Sequence, residues 1–63
     1  MNIEELIKSK GLKKGWVAEQ AKISATTFSL IVKGKSVPTL PVALRIARVL
    51  DTTVEELWGK LID

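Results

Sequence analysis

Apolar positions along this chain recur at three- and four-residue steps and nowhere alternate, which is helical periodicity without a strand pattern. Ile3, Leu6 and Ile7 share one face and predict a helix over residues 2–10. Asn2 suits its N-cap, Glu4 and Glu5 suit the positive end of its dipole, and Gly11 suits its left-handed stop. Val17, Ala18 and Ala21 predict a second helix over 14–21. Its start is poor: Lys13 and Lys14 stand where a hydroxyl or carboxylate cap is usual, and Gly15 follows in the first turn. A third helix over 24–32 is capped by Ser24, buries Phe28 and Ile31, and ends at Lys33-Gly34-Lys35. Ala25, Thr26, Ser29 and Lys33 are expected to face outwards.

Ser36-Val37-Pro38 reads as a turn or extended link, because Pro38 disfavours helix at Val37. The fourth helix, 40–50, follows a Thr39 cap with Pro41 tolerated in its first turn. Leu40, Ala43, Leu44, Ala47 and Leu50 are expected as its inner stripe, with Arg45 and Arg48 outside. The capping box Thr53-x-x-Glu56 opens a fifth helix, with Val54, Leu57 and Leu61 as its stripe. The sum is a single domain, residues 1–63: an all-α, compact five-helix bundle.

Composition narrows the chemistry. The chain has neither cysteine nor histidine, so disulfides, thiolate or imidazole metal sites and histidine acid–base catalysis are excluded. No catalytic residue, metal site, cofactor or small-molecule substrate is expected; the carboxylates fall where caps, dipoles and solvated faces explain them. Apolar runs are far short of a membrane span and no signal segment is visible, so the expectation is a soluble domain of the bacterial cytoplasm or nucleoid.

The net charge of +3 hides an asymmetry. Residues 8–35 carry seven lysines against Glu19 alone, which suits a polyanionic partner. The spacing about Lys22 then becomes decisive. The second helix ends at Ala21 and Ser24 already caps the next, so the two must cross steeply, as in a helix-turn-helix unit spanning about 14–33. Ala18 and Ala21 allow close approach, Val17 meets Phe28, and Ile23 plugs the turn.

These residues resemble the phage repressor/Cro-type helix-turn-helix domains, the lambda repressor-like fold. The resemblance runs from Leu6 to Leu57 and is carried by Gly11-Leu12, Val17-Ala18, Ala21, Ile23-Ser24, Phe28, Ile31, Lys33-Gly34-Lys35, Pro38-Thr39-Leu40, Ile46-Ala47, Leu50 and Thr53-Val54-Glu55-Glu56-Leu57. It implies a DNA-binding regulator that places helix 24–32 in the major groove of double-stranded DNA, commonly as a dimer. The chain departs from the family pattern at several positions. Lys22 and Asp51 stand where glycine is common, Lys13-Lys14 where Thr-Gln or Ser-Gln is common, Trp16 at a usually polar position, and Val32 in place of an acidic residue. They mark a divergent, phage-type member.

The groove-facing residues implied by the resemblance are Ala25, Thr26, Thr27, Ser29 and Leu30. Hydroxyls and apolar groups offer weak direct readout, chiefly against thymine methyls, so water and DNA shape are expected to contribute. Affinity then leans on phosphates, through Lys13, Lys14, Lys33 and Lys35 with Ser24 and Ser36 as neutral donors. Trp16, Trp58 and Leu61 are candidate contacts for a weak homodimer or a protein partner. The alternative is a protein-interaction module on the same fold, docking a regulator or phage component through Leu30, Val32 and Trp16.

Overall fold

The computed structural model describes residues 2–59. Within them the chain forms α1 (Ile3–Ser9), α2 (Lys14–Gln20), α3 (Ala25–Val32), α4 (Leu40–Val49) and α5 (Val54–Trp58), and no strand. Three N-caps act as the sequence predicts. Asn2 accepts from the N–H of Glu5, Ser24 from that of Thr27, and Thr53 from that of Glu56. Thr39 precedes α4 but makes no side-chain capping bond. The capping box of α5 is half made, because the Glu56 carboxylate accepts from the Thr52 hydroxyl. Leu61 and the end predicted for this helix lie outside the described residues.

The first four helices end in one motif. The N–H groups of Leu12, Ile23, Lys35 and Thr52 reach back to the carbonyls of Ile7, Ala18, Leu30 and Ala47. This Schellman closure requires a left-handed residue just past each helix. Gly11 and Gly34 supply it, with φ of 67° and 76°. After α2 and α4 it falls to Lys22 and Asp51, with φ of 62° and 55°. A side chain in that region is strained.

The core joins Ile3 and Ile7 of α1 to Val17, Ala18 and Ala21 of the α2 end, Phe28 and Ile31 of α3, and Ile46 and Leu50 of α4. α2 packs against both α3 and α4, and α4 also against α5. No polar or charged side chain is buried among the described residues.

The stripe of α4 differs from expectation. Ala43, Ile46, Ala47 and Leu50 face the core at three- and four-residue steps. Leu44 lies about 100° round the helix from Ala43 and escapes the core. Leu40 sits in the first turn, beyond the edge of the core, and is also exposed. Arg45 does not face solvent freely: it is half-buried, and its Nε–H donates to the Ala21 carbonyl.

Candidate nucleic-acid interface

The crossing of α2 and α3 is fixed by four residues. Ala21 closes α2, Lys22 turns left-handed, Ile23 packs against the core, and Ser24 opens α3. Val17, Ala18 and Ala21 on one side and Phe28 and Ile31 on the other are all buried. The smallness of Ala18 and Ala21 lets the helices close, as the sequence predicts.

This packing leaves the opposite side of α3 free. Ala25, Thr26, Thr27 and Leu30 are exposed, whereas Ser29 is half-buried. Val32 is half-buried against the core and so does not belong to the outward surface expected of it. Two hydroxyls are engaged locally. Ser24 Oγ donates to Thr27 Oγ1 at 2.9 Å and accepts from the Thr27 N–H at 3.1 Å. The single Ser24 proton is thereby used, while the Thr27 proton is left to donate outwards.

The lysines take distinct positions. Lys33 is the C-cap of α3, Lys35 follows Gly34, and both are exposed. Lys13 is the N-cap of α2, exposed and without a side-chain capping bond. Lys14 Nζ pairs with Glu4 of α1 at 2.8 Å, a contact the sequence gives no sign of because it joins separate helices. Both partners are half exposed, so the pair is exchangeable for another anion. The Glu4 carboxyl is held below its ordinary pKa of 4.5, first by the Lys14 hydrogen bond and charge, then by the charges of Lys8 and Lys33. The Lys14–Glu4 pair thus ties the start of α2 to α1. Ser36 is half-buried.

A family model of the helix-turn-helix domain matches residues 4–58. The chain belongs to the helix-turn-helix domain family. No curated protein and no solved structure matches it significantly. The helix-turn-helix domain is a DNA-binding type, and here nearly the whole chain is given to it. Of the two tryptophans, Trp16 stands 46% exposed on α2, whereas Trp58 packs partly buried against the core. Trp58 thus serves as a lid on the core. No helix among the described residues is long and apolar enough to cross a membrane.

Proposed function

We propose that this domain is a sequence-specific, double-stranded DNA-binding transcriptional regulator of the repressor/Cro type, of phage or prophage origin, acting in the bacterial cytoplasm. α3 enters the major groove and presents Ala25, Thr26, Thr27 and Leu30 to base edges, with Ser29 at the margin. One observation carries this reading: α3 leaves Ala25, Thr26, Thr27 and Leu30 exposed, with exposed lysines at the start of α2 (Lys13, Lys14) and at the end of α3 (Lys33, Lys35). A duplex there meets cations at both rims of its groove. The Glu4 carboxylate holds the position a phosphate would take, and a phosphate displaces it. The domain is read as non-catalytic and free of cofactor, because the chain has neither cysteine nor histidine and its carboxylates fit caps, helix dipoles and solvated faces.

Trp16 and Leu30 support a second reading as a protein-docking surface, being 46% and 41% exposed. It has lost Val32, which packs inwards.

Selection from a random duplex library separates the two, with anisotropy titrations of the recovered sequences at about 50 and 200 mM salt. A recovered motif bound with steep salt dependence supports the regulator. No enrichment, with weak and purely ionic binding, overturns it in favour of protein docking.

A further inference from the structure

An apolar strip framed by cations runs from the end of α3 along α4. Exposure alternates through the link: Lys35, Val37 and Thr39 face solvent, while Ser36 and Pro38 are half-buried. Lys35 and Val37 therefore share one side of it. The exposed surface continues on α4 with Leu40, Leu44 and Arg48, which recur every four residues along one face. Val37, Leu40 and Leu44 are 68%, 65% and 40% exposed. Neither Lys35 nor Arg48 pairs with a carboxylate among the described residues. Arg45, by contrast, is engaged by the Ala21 carbonyl. Residues 20–50 hold no Asp or Glu at all. We infer that an acidic, amphipathic helical segment of another protein docks on this strip, its apolar side on Val37, Leu40 and Leu44 and its carboxylates on Lys35 and Arg48.

Charge and polarity together select this occupant. The apolar side chains call for apolar cover, and a cation at each end calls for an anion at each end. A phosphate backbone would meet the cations and leave the leucines in water. A second copy laid strip to strip would bring more cations and no carboxylate. Distance sets the size of the partner. Leu40 and Arg48 are eight residues apart, about 12 Å along α4 at the helical rise. A partner helix of about three turns or more spans this, with apolar residues at three- and four-residue steps and acidic residues towards both ends. Docking here does not rest on the DNA reading, and the test below uses no DNA.

The experiment selects peptides of about 16 residues, roughly 24 Å as a helix, from a random displayed library on the full chain. The double variant Leu40→Ser, Leu44→Ser is the counter-target. Recovered peptides should be acidic, with apolar residues at helical steps. A labelled one should bind the double variant about tenfold or more weaker by anisotropy. Arg48→Glu should weaken it about tenfold, and exchange of glutamate for lysine in the peptide should restore binding to that variant. Lys10→Glu makes the same change of charge at the end of α1 and should leave affinity within about twofold. All four positions are exposed, so circular dichroism should show every variant folded. Recovery of no peptide class, recovery of peptides without excess carboxylates, or equal losses in Arg48→Glu and Lys10→Glu would each overturn the assignment. Binding to phosphatidylserine vesicles that the leucine variant loses, with no peptide recovered, would give the strip to a membrane surface instead.

Discussion

The Nε–H of Arg45 on α4 donates to the main-chain carbonyl of Ala21, 2.8 Å away, at the close of α2. That carbonyl belongs to the last turn of a helix, where acceptors lack helical partners and the dipole is negative. The guanidinium answers both needs at once. It also ties the helix-turn-helix turn to α4, beside the apolar packing of α2 on α4. Arg45→Met should therefore destabilise the domain by about 1–2 kcal/mol in urea unfolding. It should weaken DNA binding beyond the loss of one charge, because α2 and α3 lose their brace. Arg45→Lys keeps the charge without the Nε–H; if it behaves as wild type, the bond to Ala21 is not what matters.

Lys22 completes the α2 closure at φ 62°, a conformation that suits glycine. Lys22→Gly should stabilise the fold by about 0.5–1 kcal/mol, the relief of left-handed strain less the added freedom of the unfolded chain. For a domain of this size that is a rise of several degrees in Tm. Gly15 is the reverse case. It lies inside α2 at ordinary φ, and an added Cβ would meet nothing within 4 Å. Gly15→Ala should gain about 0.5 kcal/mol, by the helix propensity of alanine. Thermal melts of the two single variants and the double variant check both gains and their additivity.

The sequence showed most of this fold because its signals are local. Caps at Asn2, Ser24 and Thr53 and stops at Gly11 and Gly34 act within one turn of themselves, and each is found where predicted. What failed to show depends on contacts between distant segments. Leu44 looks apolar enough for the core, but only the placement of α2 and α5 decides which side of α4 is covered. The reach of Arg45 to Ala21 and of Lys14 to Glu4 spans 24 and 10 residues, with no periodicity to betray it. The outward surface of α3 was legible except at Ser29 and Val32, which lie at its margins.

Glu4 and Lys14 predict a pH effect and a binding effect together. The Glu4 carboxyl has its pKa lowered in the folded state, so its contribution to stability is present above its ordinary value of 4.5 and is lost as pH falls through the depressed value. Stability profiles of the wild type and Glu4→Gln should differ at neutral pH and converge in acid. The same substitution frees Lys14 for phosphate. DNA affinity of Glu4→Gln should rise modestly at low salt, with a steeper salt slope. An unchanged slope would mean that Lys14 does not reach the backbone.

Lys33 and Lys35 make a sharper test of phosphate contact. Neutralising one phosphate-bound lysine should reduce the slope of log affinity against log salt by about 0.9. Lys33→Gln and Lys35→Gln should each do so, and should weaken binding alike on preferred and unrelated duplexes. A loss restricted to the preferred sequence would instead place the lysine at a base edge.

The surface of α3 makes the last prediction, and the most specific. It offers no arginine, asparagine or glutamine, so the bidentate pairs that ordinarily read guanine and adenine are absent from it. Ala25, Thr26 and Leu30 instead present methyl groups, and Leu30 is 41% exposed. Apolar groups in a major groove have one natural counterpart, the C5-methyl of thymine. Replacing thymine by deoxyuridine at single positions of a selected site should weaken binding by about 0.5–1 kcal/mol where such a contact exists, the worth of a buried methyl. Leu30→Ala should erase the difference between thymine and deoxyuridine at one position and leave the others intact. Lys33→Gln should leave every such difference in place while lowering affinity throughout. If deoxyuridine is tolerated everywhere, α3 reads shape rather than methyl groups, and the preferred sequences should then be those with a distinctive groove width rather than a fixed thymine.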